Sequence, residues 1–174
     1  MAVKSQPDHL PSVVALCQFN FEQKNLAKVQ SIITKALREF DANATVYFWE
    51  AKLKHSQGNL IEASASIEKA IAIDPNQSDY HFLALDIHLQ SGNNANAIES
   101  LESLIDLCPL NGEIHLKLAK LLTHPDDFHR AKLLFEISIE LLPQKIDSLL
   151  SLASFLYKGT QSSPDGTVSK IPDL

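Results

Sequence analysis

The chain has 174 residues, 45% hydrophobic and 21% charged, which is one domain's length with enough apolar content for a sizeable core. Its formal net charge of -6 leaves no basic surplus for neutralising phosphates, which argues against non-specific nucleic-acid binding and against attraction to anionic membrane surfaces. No uncharged stretch approaches the ~18 apolar residues of a membrane-spanning helix, so no membrane insertion is expected.

Residues 1–9 read as an N-terminal extension; no long apolar run follows Lys4, so no signal peptide is expected. Cys17 and Cys108 follow no metal or redox spacing, and a cytoplasmic, reducing setting is the expectation. From Leu10 the chain repeats itself every 34 residues, a period that signals stacked repeats. Val29, Ala63, Ala97 and Ala131 coincide, as do Ile33, Ile67, Leu101 and Phe135, then Leu37, Ile71, Ile105 and Ile139. Four units follow without insertion, 10–43, 44–77, 78–111 and 112–145, closed by Pro75, Pro109 and Pro143 but by Asp41 in the first.

Each unit reads as two helices. In the first, Lys24-Asn25 occupies the inner turn, with Asn as the residue tolerant of left-handed backbone. In the second, Tyr47 to Gln57 form a helix that Gly58 stops, and Asn59 caps the next, whose Ile67, Ala70 and Ile71 share one face. The third repeats this with Gly92 and Pro109. In the fourth, His124-Pro125-Asp126-Asp127 ends one helix ahead of the proline and supplies an Asp N-cap for the next. Residues 146–158 form one extra helix, and the polar, turn-rich stretch 159–174 reads as a flexible tail. Small Ala ladders let paired helices approach, and larger ladders fill the space between pairs. No single pair buries its apolar face alone, so the pairs stack.

The series Gly58, Ala63, Ile67, Ala70, Pro75, then Gly92, Ala97, Leu101, Pro109, resembles the tetratricopeptide repeat family over 136 residues. Leu104 and Ser138 depart from its second small residue, and Glu50 stands where the family has an apolar one. The resemblance implies an all-α fold, a right-handed α-α superhelix of four helix-turn-helix repeats plus a C-terminal capping helix. It also implies a non-catalytic protein-interaction scaffold whose first helices line a concave groove for a partner peptide or helix.

Helical spacing tracks the groove positions. Thr45, Phe48, Lys52 and His55 share one face, matched by Pro11, Val14, Gln18 and Phe21 in the first unit. Across units, Val14, Phe48, Phe82, Leu116 and Leu150 form an expected apolar stripe beside Gln18, Lys52, Asp86, Lys120 and Ser154. The stripe either holds a partner's apolar side chains or only supports packing between helices. Thr45, Asp79, Glu113 and Asp147 form a polar row that either recruits a basic ligand or complements helix N-termini, the second being favoured. Heat-shock co-chaperones of the family grip a C-terminal carboxylate with Lys, Asn and Arg. One register here places Val14, Gln18, Trp49, Asp79 and Leu83 at those positions; the next places Phe48, Lys52, Leu83, Glu113 and Lys117. Neither makes the clamp.

His81 and His88, two helical turns apart, are about 11 Å from each other, too far to share one ion, so no metal site is expected. There is no phosphate loop, nucleophile elbow or His-Glu-x-x-His motif, and no enzyme activity or cofactor is expected. The extra helix spreads Leu149, Leu150, Leu152, Phe155, Leu156 and Tyr157 around most of its surface. That leaves a longer native chain, a tail folding back through Val168, Ile171 and Leu174, or self-association, which is favoured because the tail has few apolar groups. Alternative roles are a recruiting arm of a larger enzyme and a small acidic secretion-type chaperone.

Overall fold

Glycine and asparagine set many of the helix ends in the computed structural model, which describes residues 10–40 and 42–161. Among these every regular element is helical: α1 (Leu10–Glu22), α2 (Leu26–Glu39), α3 (Ala44–Ser56), α4 (Leu60–Ile73), α5 (Ser78–Gln90), α6 (Asn94–Leu107), α7 (Gly112–Leu121), α8 (Phe128–Leu141) and α9 (Ile146–Gln161). The fold class is all-α, built of helix-turn-helix pairs. Residues 1–9, Asp41 and residues 162–174, with Val168, Ile171 and Leu174, lie outside the described residues.

Gly58 and Gly92 end α3 and α5 in the left-handed region, at φ 78° and 72°, where a Cβ is penalised. The first turn differs from expectation. Lys24, not Asn25, takes the left-handed backbone, at φ 58°. Asn25 instead caps α2, its side chain accepting from the Lys28 backbone N–H. That use of the amide requires a different backbone, φ -86°. Asn59 occupies the N-cap of α4 but makes no side-chain cap bond. Asn43, which the repeat pattern did not flag, accepts from Thr45 and Val46 N–H groups and starts α3 three residues earlier than Tyr47.

The chain divides into two compact units at Ser100–Leu101, inside α6. In the first, α1 packs on α2 and α3 on α4, while α1 also touches α3 and α3 touches α5. First helices of successive pairs therefore lie side by side. Val29, Ile33, Ala63 and Ile67 are all buried, as the ladders require, and each fully buried Ile contributes about 1.5–3 kcal/mol. Glu50 does not disturb the packing of α3 on α4. Its carboxylate pairs with Lys54 at 3.1 Å and accepts from the buried Ser66 hydroxyl at 3.0 Å, and Lys54 also reaches Glu62 at 3.4 Å. A polar cluster replaces an apolar contact.

In the second unit α7 packs on α8 and α8 on α9. Leu104 and Ser138, the departures from the small-residue ladder, are fully buried, and Ser138 donates to the Phe135 carbonyl at 2.7 Å. His124 is extended ahead of Pro125, and a 3-10 turn at Pro125–Asp127 leads into α8. Asp127 holds the N-cap position of α8 without a side-chain cap bond; it is the His124 ring that accepts, from Asp126 N–H. Phe155 stacks on Phe128 at 4.9 Å and lies 5.3 Å from Phe135, seating α9. Helix α9 continues to Gln161, three residues past Lys158, and Gly159 lies so close to Phe128 that a Cβ would sit 2.5 Å from the ring.

Candidate protein-binding surface

Because α1, α3 and α5 lie side by side, residues at helical spacing on each meet across the gaps. A cavity of about 510 Å³ opens there. Its walls include Val14 and Gln18 from α1 and Phe48 and Lys52 from α3, four of the expected groove residues, together with Phe21 and Thr45. Phe48 lies 5.1 Å from Tyr80 and 6.0 Å from Trp49, and Phe21 is 6.1 Å from Trp49, so the floor is a connected aromatic layer. Thr45 Oγ1 and Tyr80 OH approach to 3.4 Å across α3 and α5.

Lys52 is half-buried over that floor. Its Nζ lies 4.8 Å from the Trp49 ring centre, 5.2 Å from Phe21 and 5.9 Å from Phe48. Each ring face carries negative charge, and such contacts contribute about 0.5–2 kcal/mol depending on exposure. The remaining wall carries three carboxylates, Glu22, Asp74 and Asp79. Among the described residues none forms an ion pair with Lys52. Glu22 accepts from the Gln18 side chain at 3.1 Å, and Asp74 from Asn76 N–H at 3.3 Å.

Phe82, half-buried, and Asp86, exposed, lie on α5 but do not line this cavity. In the second unit, a cavity of about 320 Å³ brings Lys120 and Leu150 together with Ser154, Phe135 and Phe155. Leu150 is 63% exposed, whereas Leu116 is only 4% exposed and has little surface to offer a partner. The acidic row behaves differently here. Glu113 accepts from Lys145 at 2.7 Å and Asp147 from Lys120 at 2.8 Å, and each lysine's hydrogen bond and charge hold its partner's carboxyl below the ordinary range.

His81, His88 and His115 are buried, whereas His124 and His129 are exposed. His81 Nε2 meets the Pro75 carbonyl at 2.8 Å and His115 Nδ1 the Asn111 carbonyl at 3.1 Å, both from buried positions. Burial lowers the pKa of His88 against the opposing charges of Glu68 and Glu99. Among the described residues no three His, Cys, Asp or Glu side chains converge on a metal position, and no helix is long and apolar enough to cross a membrane. Both cysteines are free, and burial pushes the Cys17 thiol up to about 11.

Helical spacing along the first helices did not reach Glu22, Trp49, Asp74, Gln77 or Tyr80 as cavity residues. Asp74 and Gln77 come from the turn between α4 and α5, and Tyr80 is one position off the tracked face, on the side facing Phe48. The only signal in the sequence is the aromatic spacing of Phe48 and Tyr80, two residues short of the repeat period.

Residues 44–77 and 78–109 each match the tetratricopeptide repeat family. No curated protein matches the chain by sequence. Among solved structures, MamA is similar at 15% identity and a TM-score of 0.74, over 90% of this chain and 85% of that one. YrrB, described as a tetratricopeptide repeat protein with an unusual peptide-binding site, is 16% identical with a TM-score of 0.75, covering 86% of this chain and 78% of its own. Pseudomonas aeruginosa PilF is 18% identical with a TM-score of 0.66, over 87% and 69%. At such identities the likeness establishes the fold.

Proposed function

We propose, from the premise that this chain is built on tetratricopeptide repeats, that it is a non-catalytic scaffold holding a segment of another protein against α1, α3 and α5. The observation that carries this is the cavity of about 510 Å³, which unites Val14, Gln18, Phe48 and Lys52 from two helices over an aromatic floor. Aromatic side chains dominate the energetics of interfaces because they offer large area at low entropic cost. YrrB, a relative in fold, is described as having a peptide-binding site. Repeat proteins use such rows of neighbouring helices as extended binding surfaces.

A photo-crosslinking residue at Gln18, on the cavity, is compared with one at Lys28, exposed on α2, in cell extract. Thr45→Phe is the competitor, since Thr45 lines the cavity and the larger ring takes up part of its volume. A discrete adduct is expected from position 18 alone, and it should vanish with Thr45→Phe. Equal adducts from both positions, or insensitivity to Thr45→Phe, would contradict the proposal.

Self-association through α9 is a second role, supported by the exposure of Ile146, Leu149 and Leu150 on that helix. Sedimentation over a concentration series should show an oligomer that Leu149→Lys disperses. A strict monomer at high concentration counts against it.

A further inference from the structure

We infer that the segment taken by the first-unit cavity is basic and amphipathic, apolar on the side that meets Phe48 and Tyr80 and cationic toward Asp74, Asp79 and Glu22. The inference rests on the binding role proposed above and names its partner chemistry. Three carboxylates and one ammonium line this cavity, and none of the four is joined to another by an ion pair among the described residues. The two members of the acidic row in the second unit are already paired: Glu113 with Lys145 and Asp147 with Lys120. Asp79 is the repeat equivalent of both and, among the described residues, has no such lysine. Within this row of equivalent positions the charge therefore stays available at Asp79, beside the aromatic floor, and is cancelled at Glu113 and Asp147.

Lys52 does not reverse the sign. Its ammonium already lies over the faces of Phe21, Phe48 and Trp49, which supply the negative field a cation seeks. The chain's net charge of -6 adds a long-range field of the same sign as the rim. Such fields accelerate encounter with cationic partners and set their register, while the apolar contacts hold them.

Two labelled peptides of about twelve residues, long enough for three helical turns, test this on the full chain by fluorescence anisotropy. One carries Lys and Leu at helical spacing; the other has Glu at each Lys position. The Lys peptide should bind at least about tenfold tighter. Asp74→Asn with Asp79→Asn should weaken it about five- to tenfold, and Lys52→Met should tighten it by removing a like charge. Asp106→Asn with Glu140→Gln removes the same two charges from exposed sites elsewhere and should change binding less than about twofold. Thr45→Phe should abolish binding. An equal loss from both double variants overturns the inference. So does tighter binding of the Glu peptide that Lys52→Met weakens and Thr45→Phe abolishes, although the binding role would then stand. Failure of both peptides to bind, or binding insensitive to Thr45→Phe, overturns the inference and the binding role together.

Discussion

Cys17 offers a quantitative check on the packing of α1. Its side chain is fully buried among Val29, Ile33 and Trp49, and that burial raises its pKa from 9.0 to about 11. The folded chain therefore keeps the proton over a range in which the unfolded chain releases it. Stability from this group is fully present below pH 9.0 and is lost as pH rises toward about 11. With those two values, linkage gives a loss of about 1.4 kcal/mol between about pH 8 and pH 10, and about 2 kcal/mol by pH 11. Urea unfolding of the native chain and of Cys17→Ala at both pH values isolates the effect, because every other titrating group is common to the two. Cys17→Ala is less stable at pH 8, having lost a buried sulfur, but its stability should fall about 1.4 kcal/mol less by pH 10. Parallel pH profiles would refute the claim that α1 seals this thiol from water.

Other consequences follow from local geometry. Gly112→Ala places a Cβ 2.8 Å from Leu141 Cβ and Leu142 Cγ, so it should lower stability by about 1–3 kcal/mol in thermal melts. Lys24→Gly relieves the left-handed backbone at φ 58° and should stabilise by about 0.5–1 kcal/mol after the glycine's greater unfolded entropy is subtracted. Lys54→Met strands the half-buried Glu50 and should cost about 1–2 kcal/mol in urea unfolding. Replacing the whole cluster, Glu50→Leu with Lys54→Met and Ser66→Ala, should return within about 1 kcal/mol of the native chain.

The repeat was legible because its ladders are packing constraints: Ala63, Ala97 and Ala131 are fully buried, and the positions of Gly58 and Gly92 need φ above zero. Those demands act within one helix pair, so a fixed period exposes them. Lys24 escaped because nothing in a lysine announces a left-handed turn, and the adjacent Asn25 looked better suited until its side chain was needed for capping. Spacing on α1 and α3 tracked Val14, Gln18, Phe48 and Lys52, which line one cavity. It was silent on Asp74 and Tyr80, whose place in the cavity depends on how α4 turns into α5. Leu116 shows the converse. Its spacing matches Phe48, yet its surroundings bury it.

Trp49 is the chain's single tryptophan and lines the first-unit cavity, which makes its indole N–H signal in a proton–nitrogen correlation spectrum the most direct reporter of occupancy. Titration with the Lys and Leu peptide should move that signal progressively to saturation, and Thr45→Phe should leave it still. An indole signal that stays fixed while resonances elsewhere shift would contradict the binding of a partner against α1, α3 and α5.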